Sequence, residues 1–213
     1  MIRVALVDDH TLVREGLKKI LALESDISVV GETGSAEEAL DLVYRVTPDV
    51  LLLDISLPGR SGLDILQDLK VRVPDMGILM LTMHPEQMLA VRSLKAGAAG
   101  YLNKDAAADE LVRAVRRIHA GGRYITESVA DHLLFAFQNP DSERPHEQLS
   151  DREFQVMLLI AQGRKNREIA DALAISPRTV GTYRARILEK LAMQSTADII
   201  RYVLDTGLLQ GNP

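Results

Sequence analysis

The sequence predicts an α/β doubly wound, five-stranded parallel sheet followed by an all-α helix-turn-helix domain. Three observations carry this. Five short apolar runs alternate with five amphipathic stretches over the first 120 residues. A segment with two prolines and no aliphatic residue, Gln138–Gln148, then interrupts the pattern. Beyond it only helical periodicity remains, punctuated by serine starts and glycine stops.

The strand candidates are IRVALVD (2–8), ISVVGE (27–32), DVLLLD (49–54), GILMLT (77–82) and GYL (100–102). They are nearly continuous in apolar residues, as expected of parallel strands covered on both faces. Amphipathic helices are expected near 11–23, 35–46, 62–71, 86–96 and 106–119. After the linker, Ser150 and Glu153 have capping-box spacing, and the helix they start stops at Gly163. A second helix runs through NREIADAL. The short turn Ala174-Ile175-Ser176 leads to a third, RTVGTYRARILEKL, with Ser176 as N-cap and Pro177 at the first helical position. Ser195 caps a fourth, TADIIRYVLDTG, ending at Gly207. The expected division is 1–120, a helical extension and linker over 121–148, and 149–213.

Composition narrows the function. The 213 residues are 46% hydrophobic and 26% charged, ordinary for a soluble globular protein. No apolar run approaches the ~20 residues of a membrane span, and the N-terminus enters a strand directly, without a signal-peptide pattern. A cytoplasmic protein with no membrane partner is expected. Cysteine is absent, which excludes disulfides, thiolate nucleophiles and Cys-type zinc sites. Aromatics are 4% and tryptophan is absent, so a base-stacking platform for single strands is not expected. The net charge of −5 is uneven. Residues 1–137 carry −5, whereas 164–190 hold seven basic and three acidic side chains. An acidic front and a basic back suit different partners.

The first run ends in two adjacent carboxylates, Asp8 and Asp9, and the third in Asp54. In an open parallel sheet these groups meet at the carboxyl edge, where ligands bind. Carboxylates crowded there raise one another's pKa unless a cation offsets them. All-oxygen donors point to a hard ion such as Mg²⁺, which uses one or two carboxylates and leaves one free to react. A strand-end aspartate can attack a phosphoryl group and form an acyl phosphate. Lys104 supplies charge and Thr82 a hydroxyl for the transferring oxygens.

Residues 1–120 resemble a response-regulator receiver domain, a flavodoxin-like fold. The matching elements are DD at 8–9, LLLDISLPG around Asp54, LT at 81–82 and GAAGYLNK at 97–104. The resemblance implies phosphorylation of Asp54 by a sensor histidine kinase. It implies Mg²⁺ on Asp9 and Asp54, with Asp8 positioning it and the Ser56 carbonyl as a further ligand. Thr82 and Lys104 match the catalytic pair, and Thr82 with Tyr101 the switch pair. His84, two residues after Thr82, is expected at the surface or a helix N-terminus rather than as a ligand.

The second and third C-terminal helices form a helix-turn-helix candidate, with the second of the pair entering the major groove of duplex DNA. At 100° per residue, Val180, Tyr183, Ile187 and Leu191 face the core, while Arg178, Thr182, Ala185 and Glu189 point away. Lys165, Arg167, Arg178, Arg184, Arg186 and Lys190 are candidates to neutralise phosphates. The stretch LSDREFQVMLLIAQGRKNREIADALAISPRTVGTYRARILEKL resembles the LuxR-type domain that follows receivers in the NarL/FixJ family. The DNA-facing set is then Lys165, Arg167, Arg178, Thr179, Gly181, Thr182, Arg184, Ala185, Arg186 and Lys190. Family members often carry Lys where this chain has Gly181, His at Tyr183 and Gly at Ala192. The SPRTVGTYR run is reminiscent of the GacA/UvrY branch.

The expected function is a two-component response regulator, not an enzyme. Phosphorylation controls dimerisation and DNA binding, with RNA polymerase as a further partner. The alternative is a phosphorylation-independent DNA-binding regulator with an interaction-only receiver. A phosphatase-like hydrolase would space its carboxylates as DxD, unlike Asp8-Asp9. The last helix is expected to offer Ile199 and Val203 either to a dimer partner or to its own core.

Overall fold

The computed structural model describes residues 1–82, 87–126, 129–130 and 145–209, so His84 and linker residues 138–144 lie outside the described residues. Contacts divide the chain into two compact units, residues 1–132 and 133–213.

In the first unit, β1 (Ile2–Val7), β2 (Ile27–Thr33), β3 (Val50–Asp54), β4 (Gly77–Thr82) and β5 (Gly100–Asn103) form one parallel sheet in the order β2-β1-β3-β4-β5. The helices between and after them are α1 (Thr11–Ala22), α2 (Ala39–Val46), α3 (Gly62–Arg72), α4 (Gln87–Lys95) and α5 (Ala108–His119). Val4, Leu6, Leu52, Leu79, Leu81 and Leu102 share a buried cluster with Leu21 of α1 and Leu111, Val115 and Ile118 of α5. Strand alternation turns Ala5, Val7, Leu51, Leu53 and Met80 to the opposite face. All five of these are fully buried, as are Leu42 of α2 and Leu63, Leu66 and Leu69 of α3. Both faces are therefore covered, which is why β3 reads as an unbroken apolar run.

Two features set the geometry of the carboxyl edge. α3 starts in a capping box: the Ser61 hydroxyl accepts from Leu63 N–H at 3.3 Å and Asp64 accepts from Ser61 N–H at 3.1 Å. Gly62 N–H donates to the Ile55 carbonyl at 2.9 Å, drawing α3 onto the end of β3. At the other sheet edge, Tyr124 N–H donates to the Ala99 carbonyl at 2.9 Å and forms a parallel bridge with Gly100. Its hydroxyl donates to Glu110 at 2.8 Å.

The second unit begins earlier than expected. Pro145–Gln148, the end of the predicted linker, is a 3-10 turn rather than open chain. It is held by His146, whose ring nitrogen Nδ1 lies 2.7 Å from the Tyr202 hydroxyl. Four helices follow: α6 (Asp151–Ala161), α7 (Asn166–Ala172), α8 (Pro177–Lys190) and α9 (Thr196–Asp205). The Ser150/Glu153 capping box forms as read from the sequence. Glu153 also pairs with Lys190 of α8 at 2.7 Å. Burial opposes ionisation of Glu153, but Lys190 and the Ser150 donors outweigh it and hold its pKa below the usual range.

Ile199 and Val203 are fully buried. They belong to the core of their own unit, so their expected availability to a dimer partner does not hold; of the large apolar residues of α9, it is Leu204, 55% exposed, that faces outward.

All four of these helices end with paired backbone bonds into the last turn, made by the residues after the C-cap. At Gly163 and Gly207 the left-handed residue is glycine, but at Ala174 (φ +49°) and Ala192 (φ +52°) it is alanine. The Cβ there costs about 1–2 kcal/mol. Ala192→Gly is expected to stabilise this unit by about 0.5–1 kcal/mol, the strain relieved less the added unfolded-chain entropy. Urea unfolding checks it, with an unchanged or lower midpoint counting against the strain.

Candidate functional site

The strand order reverses direction between β1 and β3, which opens a crevice at their carboxyl ends. Asp8 follows β1 and Asp54 ends β3, both 1% exposed. Asp9 sits beside them, with its side chain 24% exposed. Lys104, just after β5, reaches across: its ammonium lies 2.6 Å from Asp8 Oδ2 and 2.8 Å from Asp54 Oδ2. The other oxygens are used locally. Asp8 Oδ1 accepts from His10 N–H at 2.9 Å, and Asp54 Oδ1 from Ser56 N–H at 3.2 Å.

Burial pushes the Asp54 carboxyl above its usual range, Lys104 pulls it back, and Asp8 adds to the rise. Burial alone would lower the Lys104 ammonium, but Asp54 and Asp8 outweigh it and hold it above its ordinary value. Lys104 therefore stays charged at neutral pH. Three carboxyl groups share a single ammonium, so positive charge is in deficit in this largely buried crevice. A divalent cation with oxygen-preferring chemistry fits that deficit, and Asp9 with Asp54 are placed to hold it.

The remaining candidates are placed as follows. Thr82 is fully buried at the end of β4, and its carbonyl accepts from Lys104 N–H at 2.7 Å. Tyr101 pairs with Met80 and is buried; alternation puts its side chain on the same sheet face as that of Thr82. Ser56 lies in the loop after β3.

Sequence reasoning missed three residues here. Gly62 has no room for a side chain: a Cβ would sit 2.0 Å from the Asp54 carbonyl oxygen. Arg14 donates to the Asp8 carbonyl at 2.6 Å and lies 3.8 Å from Glu32, bracing the turn that carries both aspartates. His10 places Nδ1 2.8 Å from Asp9. The signal for His10 was its position directly after the pair. The Gly62 contact needs the packing of α3 on β3, which no local pattern shows.

In the second unit, Ser176 caps α8 by accepting from Thr179 N–H at 3.1 Å. Val180 and Ile187 are fully buried and Leu191 nearly so, while Tyr183 is half-buried. Lys165, Arg167, Arg178, Thr182, Arg184, Ala185 and Arg186 are exposed, and Thr179 and Gly181 partly so. A Cβ at Gly181 would meet nothing within 4 Å. Lys190 differs from the other cations, since its ammonium is engaged by Glu153. Arg152 is buried, and donates to the Leu173 carbonyl at 2.8 Å, tying α6 to the turn before α8.

Comparison with known proteins identifies the family of each unit. Residues 4–116 match the response regulator receiver domain, and 147–203 the luxR family of bacterial regulatory proteins. The chain is 40% identical over 210 residues to the response regulator GacA of Pseudomonas aeruginosa, covering 98% of each. It is 40% identical over 209 residues to the response regulator UvrY of Escherichia coli K12, covering 98% of this chain and 96% of that one. Among solved structures, the Salmonella typhimurium RcsB response regulator, described for its conformational dynamism in DNA interaction, aligns with a TM-score of 0.60 at 25% identity. That alignment covers 96% of this chain and 98% of RcsB. A buried aspartate crevice in a parallel sheet, a basic helix-turn-helix and full-length relatives of the same layout thus agree: the chain belongs to the two-component response regulators that join a receiver domain to a luxR-type DNA-binding domain.

Proposed function

We propose that Asp54 accepts a phosphoryl group from a sensor histidine kinase, and that the modified receiver promotes dimerisation and DNA binding. The observation that carries this is the buried Asp54 carboxylate, 2.8 Å from the Lys104 ammonium inside a carboxylate crevice. One Asp54 oxygen attacks phosphorus, the bond to the donor's histidine nitrogen breaks, and that nitrogen keeps the electron pair. Lys104 supplies positive charge to the equatorial oxygens and Thr82 a hydroxyl donor. Mg²⁺ held by Asp9, Asp54 and the Ser56 carbonyl, with Asp8 positioning it, would neutralise developing charge. Thr82 and Tyr101, on one sheet face, are the pair that reports the change.

In the second unit the exposed basic set around α8, with Thr179, Gly181, Thr182 and Ala185, would enter the major groove of double-stranded DNA. Lys190 contributes only by leaving Glu153, so Lys165, Arg167, Arg178, Arg184 and Arg186 carry most of the phosphate neutralisation. A dimer would read paired half-sites, and RNA polymerase is the further partner of a transcription regulator. No enzymatic turnover is assigned. A cytoplasmic location fits the charge content; among the described residues no helix is long and apolar enough to cross a membrane.

The test is intact mass after incubation with Mg²⁺ and a small phosphodonor, followed by DNA binding of the product. One phosphoryl group is expected on the wild type and none on Asp54→Asn, with tighter DNA binding only for the former. An equal gain in DNA affinity for Asp54→Asn would refute the role of Asp54.

A further inference from the structure

The middle of the outward face of α8 offers a partner methyl groups rather than hydrogen-bonding groups. Its hydroxyls are already engaged within the unit. Thr182 Oγ1 donates to the Arg178 carbonyl at 3.2 Å, one turn back. Thr179 Oγ1 shares a hydrogen bond of 2.8 Å with Ser176 Oγ in the cap of the same helix. With its hydroxyl turned back on the helix, exposed Thr182 presents its methyl. Ala185, one turn further and also exposed, has nothing but a methyl. The long polar side chains of this stripe, Arg178 and Glu189, stand at its two ends.

Gly181, beside them, has no use inside the unit. A glycine within a helix destabilises it relative to alanine. Here no left-handed backbone requires one, and a Cβ would meet no atom within 4 Å. A missing side chain serves where another surface comes close to the backbone. In the major groove every base pair offers hydrogen-bonding atoms, but the bases carry one apolar group only, the C5 methyl of thymine. A helix that enters with methyls matches that group. Thr182 and Ala185 are one turn apart, with Cβ atoms about 5–6 Å from each other. Bases on one strand repeat every ~3.4 Å, so the two methyls reach neighbouring pairs.

We propose that Thr182 and Ala185 set sequence specificity by packing on thymine methyls, and that Gly181 lets α8 sink far enough for these short side chains to touch them. The proposal rests on the reading of α8 as the helix that enters the major groove. The full-length chain, treated with Mg²⁺ and a small phosphodonor, selects duplexes from a random-sequence pool. In the best duplex each thymine is then replaced in turn by deoxyuridine, which lacks only the C5 methyl. Affinity is expected to fall about 4-fold at each of two neighbouring pairs, the worth of one buried methyl. Thr182→Ser keeps the hydroxyl and removes the methyl, so the penalty at its thymine should vanish. Ala185→Gly should do the same at the neighbouring pair. Gly181→Ala should fold at least as stably as the wild type and yet lose affinity for the selected duplex. Equal affinity for all the deoxyuridine duplexes overturns the proposal and leaves groove binding standing. A penalty that persists in both Thr182→Ser and Ala185→Gly overturns it equally, as does undiminished affinity in Gly181→Ala. Failure to enrich any duplex overturns the groove reading of α8 itself, and the proposal with it.

Discussion

Gly62→Ala is expected to destabilise the receiver unit by about 3 kcal/mol or more and to abolish phosphoryl uptake. The new Cβ would lie 2.0 Å from the Asp54 carbonyl oxygen and 2.9 Å from the Ile55 Cα. Both are backbone atoms, so no rotamer change relieves the clash. Overpacking ordinarily costs about 1–3 kcal/mol, and here the end of β3 or the whole of α3 has to move. Either movement displaces Asp54 from Lys104. Urea unfolding gives the stability, and intact mass after phosphodonor treatment gives the uptake. A variant of wild-type stability that still takes up phosphate would show that the α3–β3 contact is looser than described.

Lys104→Met is the second large effect. It leaves the Asp8 and Asp54 carboxylates facing each other in a buried crevice without their shared cation. Removing one partner of a buried ionic cluster costs roughly 3–5 kcal/mol. That loss is expected in the absence of divalent ions, and Mg²⁺ should recover more stability in the variant than in the wild type. Calorimetry with and without Mg²⁺ measures both; an Mg²⁺ response no larger than that of the wild type would mean that Lys104 and the ion do not balance the same charge. The pH dependence follows in sign. Lys104 is held above its ordinary value, so its stabilisation is complete below 10.5 and lost as pH rises through the raised pKa. Over the physiological range the contribution is constant.

The fold was legible wherever burial left a simple imprint. DVLLLD was expected at 49–54 and β3 runs Val50–Asp54, because a strand covered on both faces is an unbroken apolar run and the flanking aspartates mark where it stops. α2 shows the opposite case. It was expected from residue 35 and begins at Ala39. Thr33 and Ser35 accept from the N–H groups of Ser35 and Glu38, holding the chain in a turn at the expense of helix. In the site, the aspartates and Lys104 were readable because unlike charges at successive strand ends can meet only at one edge. Arg14 and Arg152 were not read as site or packing residues, since a cation on a helix usually marks a solvated face. Arg152 is instead buried, donating to Gln155 on its own helix and to the Leu173 carbonyl 21 residues away. Such a contact exists only once the chain has folded.

The Tyr124 bridge bears on solubility. β2 and β5 are the sheet's two borders, and a bare strand border is a template on which another chain can add and polymerise. By taking the Ala99 carbonyl and running beside Gly100, Tyr124 occupies the start of the β5 border with the chain's own backbone. What remains of that border is too short to nucleate a stack. A receiver cut off before residue 124 would regain the open template and should aggregate sooner than one that retains it.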